Sequence, residues 1–266
     1  VAENFKIGFI GAGNMAQAIL YGMVNKQLVS PKNIFAYDVL KSTLDKVSEK
    51  SGVHAVASNV EAVEKSDIIV LAVKPHICPV VLDEIGEKLA GKAVLSIVSG
   101  IPFTELRKKL PETARILVIQ PNTPALVSEG MTLFASTHSL SSAEMEFAKS
   151  VFGALGKVEI IPDHLLMVGG TASGASTAYM YMFIEAIADA SVERGFPRDL
   201  AYKLCAQAMV GAGTMVLETG LHPGALKDQV CSPSGSTIRG VHALEREGMR
   251  GAVMDAIKAC NDRWDA

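Results

Sequence analysis

Two patterns of apolar and polar positions divide the chain. From residue 6 to about residue 162, short apolar runs alternate with helical patterns. The runs fall at 7–10, 34–37, 53–56, 68–73, 93–98, 115–119, 131–135 and 157–161. Run 68–73 is apolar throughout, as expected of a strand buried on both faces. The first helix carries Ile19, Leu20, Met23 and Val24 on one stripe. Further helical patterns cover 42–50, 60–64 (with Asn59 placed as its cap), Pro75 to 89, 103–110 and 142–155. Strands alternating with helices predict an α/β fold with a parallel, doubly wound sheet.

The pattern changes near Pro162, beyond which no strand pattern recurs. Residues 171–193 read as one long helix. Gly195-Phe196-Pro197 breaks it, and Pro197 suits the start of a second helix running to about 218. A turn at 220–224 leads to helices over 225–230, 236–247 and 249–263. The expected division is therefore 1–162 for the sheet domain and 163–266 for an all-α domain. Apolar positions in 171–217 go nearly all the way round the helices, so most of their surface is expected to be buried. In so small a domain that implies packing against another subunit.

The first strand runs into Gly11-Ala12-Gly13-Asn14-Met15-Ala16 and then a helix. Gly11 permits a tight turn, and Gly13 lets a pyrophosphate approach the backbone. Ala16, in place of a third glycine, still allows close packing of helix on strand. Phosphates are expected on the free N–H groups of the helix start, which makes 1–162 a dinucleotide-binding domain. Asp38 ends the second strand, where an acidic residue accepts hydrogen bonds from ribose hydroxyls and repels a 2′-phosphate. Taken alone it favours NADH over NADPH, although Lys41 and Ser42 follow and offer a phosphate partners.

Composition narrows the partners. The 266 residues are 49% hydrophobic and 20% charged, enough for one large or two modest domains. Net charge is -3 and the pI about 6.1. Without a basic stripe or polybasic cluster, neither nucleic acid nor an anionic membrane surface is expected as a partner. Mean hydropathy is +0.28, which suggests much buried surface, an oligomer interface included. No uninterrupted apolar run reaches the ~18–20 residues of a membrane span; 178–190 is broken by Glu185 and Asp189. The chain leads straight into a strand without a signal-peptide pattern. Cys78, Cys205, Cys231 and Cys260 are far apart and do not cluster with histidines. They read as reduced thiols of a cytoplasmic protein, with no metal site.

Other candidates follow from position. In open α/β sheets ligands bind beyond the strand C-termini, which selects Ala72-Val73-Lys74-Pro75, Ser99-Gly100 and Pro121-Asn122-Thr123-Pro124. Lys74 is placed to reach a cofactor, and Asn122, held between prolines, to bond a carboxamide or a substrate. In the second half, 226–238 is a loop of small polar residues, Ser232, Ser234, Gly235, Ser236 and Thr237 among them, running into a helix. Its N–H groups and hydroxyls suit a substrate carboxylate.

Taken in order, Gly8 to Ala16, Leu71-Ala72-Val73-Lys74-Pro75, Pro121-Asn122-Thr123-Pro124, Arg194-Gly195-Phe196-Pro197, His222-Pro223-Gly224 and 226–238 resemble the pyrroline-5-carboxylate reductase family over essentially the whole chain. The resemblance implies a Rossmann-type domain followed by an all-α dimerisation domain. It implies reduction of the cyclic imine 1-pyrroline-5-carboxylate to L-proline with NADPH or NADH, in homodimers that often assemble into decamers. By position it assigns Thr237 to the ring nitrogen and the 234–237 backbone to the substrate carboxylate. It places Lys74 and Asn122 beside the nicotinamide, makes Asn59 a cofactor contact, and puts Gly11, Gly13, Asn14 and Met15 at the pyrophosphate. Two departures bear on the substrate. Ser234 stands where the family usually has the first Gly of Ser-Pro-Gly-Gly. Ser173-Gly174-Ala175-Ser176-Thr177-Ala178 stands where it tends to have Ser-Gly-Ser-Gly-Pro-Ala. The alternatives are a related imine or β-hydroxyacid-type reductase, for which Lys203 is the only acid candidate on the long helices, and a non-catalytic dinucleotide sensor. The sensor gives no reason for the 226–238 loop.

Overall fold

The structure, a computed structural model, describes residues 5–262. Its first part is built on one eight-stranded sheet. The strands are β1 (Ile7–Ile10), β2 (Ile34–Tyr37), β3 (His54–Ala55), β4 (Ile68–Leu71), β5 (Ala93–Ser96), β6 (Arg115–Gln120), β7 (Gly130–His138) and β8 (Gly156–Ile161). Their order is β3-β2-β1-β4-β5-β6-β7-β8. Strands β1 to β6 are parallel, with Ile10 beside both Tyr37 and Leu71, and Leu71 beside Ser96. The strand order reverses at β1, with β2 on one side and β4 on the other, the switch point at which such sheets bind ligands.

The sheet departs from the all-parallel expectation at one place. β7 runs antiparallel to β6, and β8 pairs parallel with β7. Between β6 and β7 the chain has only a short 3-10 turn, Thr123–Val127. A parallel return needs a crossover of a dozen or more residues, so this connection can only reverse the chain.

Side chains alternate across the strands with period two. Ile7, Phe9, Ile68, Val70, Ala93 and Leu95 join one core with α1 (Asn14–Asn25), α2 (Lys41–Ser51) and α6 (Ser142–Gly153). Ile10, Ile69, Leu71 and Val94 join the other with α3 (Asn59–Glu64), α4 (Cys78–Ile85) and α5 (Phe103–Lys109). The result is helix, sheet, helix in three layers.

Local starts differ from the sequence reading. Ser58, not Asn59, caps α3, accepting from the Glu61 N–H at 3.1 Å; Asn59 is the first helical residue. α4 begins at Cys78 with Pro79 in its first turn, because the chain at Pro75 is still in a turn closed by Ile77 N–H on the Lys74 carbonyl at 2.9 Å.

Helix α7 (Leu166–Gly170) passes through a π-helical turn, Thr171–Ala175, into α8 (Ser176–Glu193). By contacts the chain falls into two compact units, 1–174 and 175–266. Leu166 is buried in the second core cluster of the sheet. At Gly170 an added Cβ would lie 1.6 Å from the Gln120 side chain, so the stretch after β8 packs closely on the sheet.

The second unit holds α8, α9 (Arg198–Thr219), α10 (Pro223–Val230), α11 (Ser236–Arg246) and α12 (Met249–Asp262). Of α8 only Ala188 is buried and of α9 only Ala201, while α10 to α12 bury no residue. Met182, Leu204, Val210, Leu217 and Met254 are exposed. By length and composition α9 is also able to cross a membrane: 22 residues, with a stretch of mean hydropathy 1.3. Lys203 and Gln207 interrupt its apolar sequence, which is why no unbroken apolar run of that length exists.

Candidate active site

The first site grows from the β1–α1 turn. Gly11 has φ +95°, and an added Cβ would lie 2.7 Å from the Ala72 carbonyl oxygen. Only glycine satisfies both the backbone and the approach of the turn to the end of β4. Its N–H bonds the Tyr37 carbonyl at 2.9 Å, tying the turn to the tip of β2. At Gly13 the space is open, with nothing within 4 Å of an added Cβ. Gly13 is also the N-cap of α1 and supplies no side chain to the first N–H groups. Uncapped N–H groups under open space fit a pyrophosphate. Asn14 is exposed, Met15 half-buried and Ala16 buried against the sheet, the arrangement its small size suggested.

Asp38 lies beside the same turn. One carboxylate oxygen accepts from the Ala12 N–H at 2.7 Å and the other from the Leu40 N–H at 2.9 Å. Gln17 was not singled out from sequence, yet its amide donates to the Ala12 carbonyl at 2.7 Å. Both groups of the residue between the two glycines are therefore held by side chains. A lone polar residue one turn into an otherwise apolar helix was the available signal for Gln17.

The other candidates of the first unit stand at the same end of the parallel strands. Ala72 N–H bonds the Ile10 carbonyl and Ile97 N–H the Leu71 carbonyl, so 72–75 and Ser99 follow adjacent strands. Ala72 and Val73 are half-buried, while Lys74 and Pro75 are exposed. Lys74 makes no side-chain ion pair among the described residues. Asn122 is buried, and its amide is committed on both sides. Its nitrogen donates to the Ser173 carbonyl and its oxygen accepts from the Met131 N–H, each at 2.9 Å. It ties the end of β6 to the start of β7 and to the π-helical turn, so positioning is its evident work. Asn59 likewise donates to Glu84 on α4 at 2.8 Å.

Ser232, Ser234, Gly235, Ser236 and Thr237 lie in the second unit, on the turn into α11. Gly235 N–H bonds the Ser232 carbonyl at 3.0 Å, closing a turn with Pro233 and Ser234 at its middle. Ser234 has φ +64°, the left-handed conformation that such a turn demands of its third residue. That explains why glycine suits this position. Gly235 is the N-cap of α11 without a side-chain cap, and the Thr237 side chain in the first turn is exposed. Among the described residues no group of three His, Cys, Asp or Glu side chains is arranged to hold a metal. Burial pushes the Cys78 thiol up to about 11, so it stays protonated and inert.

Residues 163–266 match the family model for pyrroline-5-carboxylate reductase dimerisation, and 6–100 match that for NADP oxidoreductase, coenzyme F420-dependent. The pyrroline-5-carboxylate reductase of Escherichia coli is 42% identical over 259 residues, 97% of this chain and 96% of that protein. The chain belongs to the pyrroline-5-carboxylate reductase family. A reductase of the same name from Methanosarcina acetivorans is 38% identical over 98% of this chain and 97% of its own length. The solved Plasmodium falciparum pyrroline carboxylate reductase with NADP bound superposes with a TM-score of 0.91 at 31% identity, covering 99% of this chain and 98% of that one. The N-terminal Rossmann-type sheet and the all-α dimerisation domain follow from this membership. The exposed apolar sides of α8 and α9 are then the material of an oligomer interface.

Proposed function

We propose that the protein reduces 1-pyrroline-5-carboxylate to L-proline, with a nicotinamide dinucleotide on the β1–α1 turn. The observation that carries the dinucleotide half is the open, uncapped start of α1 over Gly13, with Gly11 and Asp38 fixing the turn. The near full-length identity to reductases of that name carries the substrate half. When bound, NADPH or NADH supplies the hydride.

The chain's own residues supply geometry. The N–H groups from Asn14 onward hold the pyrophosphate, and Asp38 faces the adenosine ribose. Ala72, Val73, Lys74, Pro75 and Ser99 line the strand ends towards the nicotinamide, and Asn59 supports that edge through Glu84. Asn122 keeps the β6–β7 turn in shape. The turn at 232–237 presents backbone N–H groups to the substrate carboxylate, and the Thr237 hydroxyl bonds the ring nitrogen and supports its proton. An imine carbon is already electrophilic, and more so when its nitrogen is protonated. Holding reacting atoms at ~3–3.5 Å then removes most of the remaining barrier. The assembly we infer is a homodimer through the helical domain, in the cytoplasm, where its free thiols remain reduced.

The test is a steady-state assay with 1-pyrroline-5-carboxylate and each reduced dinucleotide, with proline identified as product. Thr237→Ala is expected to lower kcat by about 10-fold or more, the scale of one positioned proton-supporting group, with dinucleotide affinity unchanged. Full activity in that variant overturns the role of Thr237. Absence of proline with either dinucleotide overturns the reaction.

A further inference from the structure

We propose that Gln120 is a positioning residue for hydride transfer: wedged against Gly170, it fixes the π-helical turn at the nicotinamide end of the dinucleotide crevice. The inference rests on the proposed reaction and deepens it. Gln120 is the last residue of β6 and lies half-buried against α7. Its amide nitrogen donates to Met167 Sδ at 3.2 Å. Its amide oxygen stands 1.6 Å from where a Cβ on Gly170 would be. Two residues on, the Asn122 amide donates to the Ser173 carbonyl at 2.9 Å. The contacts therefore fall at 167, 170 and 173, on successive turns leading through α7 into the π-helical turn.

Bonding alone does not account for Gln120. A thioether is a weak acceptor, and among the described residues it is the only hydrogen-bond partner of this side chain. Shape accounts for it: a long, unbranched side chain fills the notch that a glycine opens. Gly169 is packed as closely, since an added Cβ would lie 2.7 Å from the Leu133 side chain. The helix is thus seated on the sheet at two adjacent glycines. A π-helical turn interrupts the regular ladder of the helix, and such turns recur at functional sites. What lies against it decides where it stands. Here Asn122 meets a carbonyl of the turn, and Gln120 wedges the residue just before it. The pyrophosphate sits at the β1–α1 turn, so the nicotinamide half of the dinucleotide lies over the ends of β4, β5 and β6. The π-helical turn is held by the end of β6. A shift of that turn moves a wall of the place where the nicotinamide must stand still.

The experiment uses the full-length assembled protein with NADPH as the probe. Gln120→Ala empties the notch. Gly170→Ala evicts the amide, and the fold absorbs it because the obstacle is the end of a flexible side chain. Each change is expected to lower kcat for 1-pyrroline-5-carboxylate about tenfold or more, since misplacement by ~1 Å costs up to about 100-fold. The NADPH dissociation constant and the KM for the imine should stay unchanged. The fluorescence of bound NADPH, which rises when its ring is held still, should fall in both variants; it is read without the imine. Gln120→Met, of similar length but without an amide, should restore both readouts. The double variant should be no worse than either single one, because both remove the same contact. Variants that melt earlier but keep kcat and NADPH fluorescence overturn the proposal. So does a loss of kcat matched by a proportional loss of NADPH affinity, or a Gln120→Met variant as impaired as Gln120→Ala. A wild type that forms no proline overturns the reductase reading alone. The fluorescence then decides for Gln120: a fall in Gln120→Ala supports its role, and an unchanged signal overturns it.

Discussion

The two units of this protein are apolar in different ways. In the sheet unit the apolar residues are used up within one chain: Phe9, Phe134, Phe152 and most of β1, β4 and β5 are inaccessible to solvent. In the helical unit equally apolar helices leave Met182, Leu204, Leu217 and Met254 exposed. A sheet covered on both faces is complete as a monomer. A few long helices with apolar residues all round are half of a core, and a dimerisation domain is what supplies the other half. Side-chain truncation should therefore act on folding in the first unit and on assembly in the second.

The largest effect expected is Phe134→Ala. Phe134 is buried in β7 and meets Phe152 edge to face, with ring centroids 5.6 Å apart. Emptying that site should cost about 3–5 kcal/mol of unfolding free energy, read by urea denaturation, with the oligomeric state of the folded fraction unchanged. The counterpart is Met182→Glu combined with Leu217→Glu. Each apolar side chain loses about 1.5–3 kcal/mol of burial per copy if the partner covers it. Light scattering should then show a smaller assembly, while dinucleotide binding by the sheet unit persists. An intact assembly after both changes would break the comparison.

The Arg115–Glu144 pair sharpens it. Glu144 is buried at the start of α6 and Arg115 opens β6; their closest contact is 2.7 Å. Burial raises the Glu144 carboxyl, but Arg115 and the Ser141 N–H and hydroxyl outweigh it, leaving it below its usual 4.5. A lowered carboxyl pKa contributes stability that is present above the unfolded value and is lost as pH falls through the folded one. Glu144→Gln should therefore lower stability at neutral pH by about 2 kcal/mol, the range of a charge-assisted bond. The difference from wild type should shrink as pH drops below the ordinary carboxylate range. Thermal melts across that range check it. A gap independent of pH would mean that the side-chain volume, not the charge, matters.

The sequence made some of this legible because the physics was local. Gly11 announces a turn since no other residue fits its conformation, and Gly13 leaves a face open above the helix start. Runs such as 68–71 announce a doubly covered strand. The reversal at β7 was not legible in apolar spacing, which is the same in both directions; its signal was the short, helix-free connection between the runs 115–119 and 131–135. Asn59 and Asn122 were marked by position, yet their amides are engaged by Glu84, Ser173 and Met131, partners distant in sequence. Ser58-x-x-Glu61 did carry the capping signal for α3. The helical unit was legible as helices with apolar residues all round, and so as a surface awaiting another subunit, but which residues meet across it depends on a second copy and is not written in the spacing.

Ser234→Gly is the smallest expected effect, and the only one expected to be favourable. Ser234 adopts φ +64° in the turn that opens α11, where a Cβ is crowded and glycine is not. Removing it relieves about 1 kcal/mol of backbone strain, partly offset by the greater freedom of glycine in the unfolded chain. Unfolding free energy should rise by about 0.5 kcal/mol or stay level. The larger consequence lies in the turn's function. If its backbone N–H groups meet the substrate carboxylate, loss of the hydroxymethyl group widens the approach. KM for 1-pyrroline-5-carboxylate should fall with kcat little changed. A KM that rises instead would make the Ser234 hydroxyl itself a ligand of the carboxylate. Either direction separates a turn that merely tolerates serine from one that uses it, because strain relief alone moves stability and leaves KM where it was.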